Sequence, residues 1–184
     1  MPPEIAVTHS YPLHCKCGKV QLIARGKPIM ATECHCNSCR EAGARLGALD
    51  GAPQVHSGNG GTPFAMYRKD RVEITQGQEL LKEFRLKPDS PTRRVVATCC
   101  NTPVFLEFQH GHWLSIYSSV WSEADMPPIE LRTMTKDLPD PSVLDNSVPN
   151  GKSQSGMFFA KLLGAWIAMG FKTPKVEVNG EVRA

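Results

Sequence analysis

Residues 33–40 read ECHCNSCR and set Cys34, Cys36 and Cys39 in a C-x-C-x-x-C run. As thiolates, three sulfurs so close together are ligands for zinc, which prefers four tetrahedral partners. Two more pairs, Cys15 and Cys17 in HCKCGK and Cys99 and Cys100 in TCCNTP, raise the count to seven cysteines. An odd and clustered set argues against a disulfide framework and for metal ligation in a reducing cytoplasm. Seven divides into four and three. Cys15, Cys17, Cys99 and Cys100 are candidates for a structural zinc site that staples an early strand to a late one. Cys34, Cys36 and Cys39 are candidates for an open, catalytic zinc site that lacks one protein ligand. Water, an outside thiol, His14 or His35 could complete it; His35 lies between two ligands, where its side chain is expected to point away. The plainer alternatives are zinc cages without chemistry, or loop cysteines that act as a redox pair or a free thiol.

The elements that must hold these sulfurs are short. CGKVQLIARG (17–26) alternates as a strand ended by Gly26, and PIMATECHC (28–36) reads as a second strand entering the first cysteine run. REAGARLGALDG (40–51) repeats Ala42, Leu46 and Leu49 at helical spacing. SGNGGTP (57–63) is a turn by composition. FAMYRK, RVEITQG and ELLKEFRLK follow as short runs rich in β-branched or aromatic residues, TRRVVATCC (92–100) as a strand into the last cysteine pair, and NTPVFLEF and HWLSIYSSV as a hairpin about QHG. His110 and His112 are expected in its exposed tip, with Trp113, Tyr117 and Trp121 in the core. This spacing predicts a mainly β domain. One domain over 1–184 is expected: a loose arm over 1–13, a core over about 12–121, an irregular Pro-, Asp- and Ser-rich connection over 122–155, and a C-terminal helix over 156–171.

HCKCG before a β run, CHCNSCR with a glycine after it, and a late cysteine followed by TP together resemble the glutathione-dependent formaldehyde-activating enzyme family, whose relatives include centromere protein V. The likeness spans roughly residues 12–121. It implies small coiled antiparallel sheets around a structural zinc, with Cys15 and Cys17 paired with the late cysteines. It also implies a second, catalytic zinc on Cys34, Cys36 and Cys39. The late motif departs from the family's C-x-x-C-G-T-P: with Asn101-Thr102-Pro103 set on G-T-P, Cys100 is the second late ligand and Ala97 stands where the first should be. Adjacent cysteines on an extended strand point to opposite faces. Cys99 can therefore join Cys100 on one metal only if the backbone kinks; otherwise water or another group is the fourth ligand.

The resemblance implies one or two zinc ions per chain and glutathione as co-substrate. A zinc with a free position is a Lewis acid and holds a coordinating thiol deprotonated. The glutathione sulfur would add to formaldehyde to give S-hydroxymethylglutathione, and the reverse, a carbon–sulfur lyase step, would cleave that bond. Three thiolates damp the acidity and favour delivery of the nucleophile. Arg40 and Arg45 are candidates to anchor the carboxylates of glutathione, with Arg93 and Arg94 further off, while neither Glu33 nor Glu41 stands out as a base. The rivals are a zinc-stabilised binding module without turnover and a lyase-like enzyme for another thiol or electrophile.

Composition excludes other classes. The chain has 184 residues, 41% hydrophobic and 21% charged, with a formal charge of +3. That charge is too mild for a nucleic-acid partner. The first residues lack the basic and apolar regions of a secretory signal. No run reaches the roughly 18 apolar residues of a membrane span. GMFFAKLLGAWIAMGF (156–171) would measure about 24 Å as a helix, with Lys161 its one charge. Gly156, Ala160, Gly164 and Ala168 give it a smooth face, for packing on its own domain or for a homodimer contact.

Overall fold

The structure, a computed structural model, describes residues 9–184. Its strands, in chain order, begin with β1 (Ser10–His14), β2 (Gln21–Arg25), β3 (Met30–Cys34), β4 (Thr62–Arg68) and β5 (Val72–Gln76). They continue with β6 (Leu81–Phe84), β7 (Thr92–Ala97), β8 (Thr102–Phe108), β9 (Trp113–Tyr117) and β10 (Leu131–Thr133). Two α-helices, α1 (Asn37–Gly47) and α2 (Gly156–Ala168), complete the frame. A three-stranded sheet has the order β1-β2-β5, and a seven-stranded sheet the order β10-β3-β4-β9-β8-β7-β6.

The mainly β fold expected from the strand spacing is present, and the large sheet is covered on both faces. On β4, Ala65 and Tyr67 face an apolar cluster shared with Leu13, Leu22 and Ala24 of the small sheet. Phe64, from the opposite face, joins Cys39, Ala42, Leu46 and Phe84. The alternation of side chains along a strand sends neighbours to opposite layers. The order is therefore small sheet, large sheet, helices. α2 closes the helical layer with Leu162 packed on Met30 and Met66.

Four expectations need correction. Residues 10–13 are not a loose arm but most of β1, paired antiparallel with β2; the arm's first eight residues lie outside the described part. The 122–155 connection contains β10, which pairs parallel with β3, so the large sheet is not wholly antiparallel. A three-residue strand in a Pro- and Asp-rich stretch carries too short a period to be seen in sequence. His112 is buried, with Nε2 2.8 Å from the Leu162 carbonyl and its ring stacked on Trp166; only His110 occupies the exposed tip. α2 also stops at Ala168, because Gly170 and Phe171 both adopt left-handed backbone. No helix among the described residues is long and apolar enough to cross a membrane.

The two adjacent leucines of α2 separate its faces. Leu162 is 6% exposed and Leu163 52%. Leu162→Ala should cost about 2–4 kcal/mol and Leu163→Ala less than about 0.5 kcal/mol, measured as shifts in the urea unfolding midpoint at constant slope.

Candidate metal centres

Cys15 and Cys17 sit in the tight turn after β1, where Gly18 takes φ +77° and the Gly18 amide donates to the Cys15 carbonyl. Cys99 and Cys100 sit in the turn between β7 and β8. Residues 98–101 are not extended, the Cys100 amide donates to the Ala97 carbonyl, and Asn101 adopts φ +53°. Asparagine tolerates that left-handed conformation better than most residues, so it can stand where the family pattern has glycine. The backbone bend needed to turn both adjacent sulfurs toward one point is therefore present.

The resulting sulfur separations are 3.6 Å for Cys15–Cys17, 3.7 Å for Cys15–Cys99, 3.4 Å for Cys17–Cys99 and 3.9 Å for Cys99–Cys100. Four sulfurs around zinc at about 2.3 Å lie about 3.8 Å apart in an ideal tetrahedron. The donor set and its spacing fit the metal. The amide of Val20 donates to Cys15 Sγ at 3.3 Å, and the Thr102 hydroxyl lies 3.1 Å from Cys100 Sγ. Burial opposes ionisation of Cys100, but the Thr102 hydroxyl and contacts with Cys17 outweigh it and lower its pKa to about 6.

Cys34 ends β3, Cys36 is the N-cap of α1, and Cys39 lies in the helix's first turn. Their three sulfurs fall within 4.8 Å of one another. The Cys39 amide donates to Cys36 Sγ at 3.3 Å, as an N-cap acceptor requires, and the Ser38 hydroxyl is also 3.3 Å away. The positive end of the helix dipole favours negative charge there. Donation from the Cys34 and Cys39 thiols, then from Ser38, drives the Cys36 pKa down to about 2. Cys34, as a donor to Cys36, is pushed up to about 11, and Cys39 also rises well above the ordinary thiol range. Three thiols that share protons so unequally form a set that one soft cation would ionise together.

Neither histidine joins a cluster. His14 Nδ1 lies 3.1 Å from the Cys15 carbonyl. His35 is fully buried, with Nε2 3.2 Å from Glu33 Oε2, so its ring does turn away from the neighbouring sulfurs toward the carboxylate. Glu33 also accepts from Arg132 Nε at 2.9 Å, Asn59 Nδ2 at 2.9 Å and the Ser57 hydroxyl. Gly61 makes room for this network, since a Cβ there would lie 2.5 Å from Glu33 Cγ and 2.6 Å from His35 Cε1. Arg132 comes from β10, so a residue about a hundred positions away braces the strand that carries Cys34. Sequence spacing offered no signal for it.

The arginines diverge. Arg40 Nη1 donates to the Asp137 carbonyl at 3.0 Å, and Arg40 lines a cleft of about 570 Å³ with Asn37, Glu41, Ala44, His56 and Gly60. Arg45 donates to the Ala184 carbonyl, stacks 5.1 Å over Phe84, and lines a separate cleft of about 1280 Å³; no cysteine lines either cleft. Arg93 is held by Glu83 and Glu107. Arg94 is different: it is 1% exposed, pairs with no carboxylate among the described residues, and donates Nη2 to the Ser38 carbonyl at 3.2 Å, inside the cysteine turn. Its Nε has no partner there.

Two clusters of cysteine sulfur on a layered β frame define a β protein equipped to hold zinc. The chain belongs to the family described as "Glutathione-dependent formaldehyde-activating enzyme", which it matches over residues 10–127. That span includes all seven cysteines and excludes β10 and α2. No curated protein matches the sequence. A crystal structure of a Rhodobacter sphaeroides protein superposes with a TM-score of 0.42 at 14% identity, covering 66% of this chain and 97% of that one.

Glu33 carries a pH prediction. Burial alone would raise its pKa, but the contacts with His35, Ser57, Asn59 and Arg132 bring it down to about 2 from an ordinary 4.5. A carboxylate depressed on folding stabilises the fold above its unfolded pKa and loses that contribution as pH falls through the folded one. Glu33→Gln should cost on the order of 3 kcal/mol at pH 7. In chelator-treated protein, the gap to wild type should narrow as pH drops from 4.5 toward 2, read by urea unfolding at each pH.

Proposed function

We propose that the protein is a zinc-dependent carbon–sulfur lyase acting on a glutathione–aldehyde adduct such as S-hydroxymethylglutathione. One observation carries the reading: Cys34, Cys36 and Cys39 converge, and no fourth His, Cys, Asp or Glu ligand atom joins them among the described residues. Cys15, Cys17, Cys99 and Cys100 serve as the structural zinc site, and the three-cysteine set as the open one. Zinc bound there would supply Lewis acidity and hold an incoming thiol deprotonated.

The chain's own groups shape the rest. The amide of Cys39 and the N-terminus of α1 offset negative charge on Cys36. Arg40, beside Cys39 and in the smaller cleft, is the anchor for a glutathione carboxylate. Arg45 lines the larger cleft and is engaged by the Ala184 carbonyl and by Glu41. In the synthetic direction the thiolate sulfur bonds to the aldehyde carbon while the carbonyl oxygen takes a proton from solvent. In the lyase direction the hydroxyl proton leaves, the carbon–oxygen double bond re-forms and the carbon–sulfur pair returns to sulfur.

Arg94 supplies the counter-charge. A buried guanidinium without a carboxylate is costly, and three thiolates on a divalent cation leave one net negative charge beside it. Arg94→Met should therefore weaken zinc retention at the three-cysteine site about 10-fold in a chelator competition while leaving the other site filled, and Arg94→Lys should restore part of it.

The deciding experiment is a zinc count followed by glutathione titration and exchange NMR with formaldehyde. Two zinc ions per chain, a spectral change of cobalt in the open site on adding glutathione, and adduct turnover support the enzyme. Cys36→Ser should lose one metal and at least about 100-fold in rate yet stay folded, whereas Cys17→Ser should unfold at lower temperature. One fully ligated metal with no response to thiol would leave a binding module instead.

A further inference from the structure

α2 hides only a narrow strip. Leu162 and Met169 are buried, and Phe158, Ala165 and Trp166 are half-buried against the sheet. At about 100° per residue, Gly156, Met157, Phe159, Ala160, Leu163, Gly164, Ile167 and Ala168 cover the opposite half of the helix. All eight are exposed and none has a polar side chain. Met157 is 67% exposed, Phe159 57% and Ile167 54%. Phe171 extends the patch from a left-handed turn, φ +59°, a conformation that favours glycine, and remains 59% exposed. Soluble monomers rarely present so continuous an apolar surface without a use for it.

Charge around the patch selects the partner. Lys152 precedes the helix, Lys172 and Lys175 follow it, and all three are exposed. No Asp or Glu occurs between Asp145 and Glu177. Of the nearby carboxylates, Glu130 pairs with Lys161 and Asp70 with Arg68, while Lys175 shares the larger cleft with Glu177 and Glu181. Lys152 and Lys172 therefore leave the rim positive at both ends. A second copy is a poor fit. Half the surface of a 13-residue helix offers about 400 Å², near half of what each side of a standard dimer buries. A two-fold pairing of antiparallel helices would also set one copy's Lys152 against the other's Lys172.

We propose that α2 is an in-plane docking helix for an anionic phospholipid surface. The apolar half would enter the headgroup–acyl boundary, and Lys152, Lys172 and Lys175 would lie among the phosphates. At about 20 Å long, the helix would rest on the bilayer without crossing it. This would hold the aldehyde–thiol site at a membrane surface and does not depend on which reaction the site performs.

The test is co-sedimentation of the full chain with phosphatidylcholine vesicles, with and without about one-third phosphatidylglycerol. Binding to the anionic vesicles, weakened by salt, is expected. Lys172→Glu with Lys175→Glu should lower it by at least about fivefold per lysine. Leu163→Ser with Ile167→Ser should abolish it while leaving the melting temperature and zinc content unchanged. No vesicle binding, equal binding to neutral vesicles, or a dimer by light scattering that ignores vesicles and is broken by the same serine pair would overturn the proposal.

Discussion

Sulfurs brought within van der Waals reach of one another set the terms for everything else in this molecule. Two thiolates about 3.7 Å apart repel by about 4 kcal/mol at an effective dielectric near 20. Four sulfurs make six such pairs, a total beyond the 5–15 kcal/mol that stabilises an ordinary domain. Either protons or a cation must intervene. With protons alone the sharing is unequal, as the low value at Cys36 and the high ones at Cys34 and Cys39 show. A divalent ion removes the conflict at once, and ties its binding free energy to the fold.

The two sites solve the problem with different scaffolding. The four-cysteine set draws on two turns 84 residues apart in sequence, so any metal there would close most of the β core into one loop. The three-cysteine set is local, built from the end of a strand and the first turn of a helix. Its support is remote: Arg132 braces Glu33 from β10, and Arg94 reaches Ser38 from β7. A staple between distant turns and a single local loop are different tools: the first ties remote parts of the chain together, while the second gathers its sulfurs from neighbouring residues.

Much of this was legible in residue types. Cysteine spacing announced both sulfur clusters, glycine and proline marked the turns, and the apolar blocks located the C-terminal helix. The late pair, Cys99 and Cys100, marked the limit. Adjacent residues on a strand diverge, and only the turn with Asn101 at positive φ reconciles them. β10 and His112 were missed for a related reason. Three residues carry no measurable period, and a histidine beside a glycine reads as an exposed tip until a distant helix carbonyl covers it.

Sequence alone therefore determined the cysteine inventory, the β character and the family likeness, because these depend on side-chain chemistry and short-range periodicity. Tertiary structure decided which sulfurs meet, which arginine is buried without a carboxylate, which cleft each guanidinium enters and which half of α2 is left bare. Those outcomes depend on contacts between residues tens of positions apart, where packing and charge compensation act and local propensity has no say.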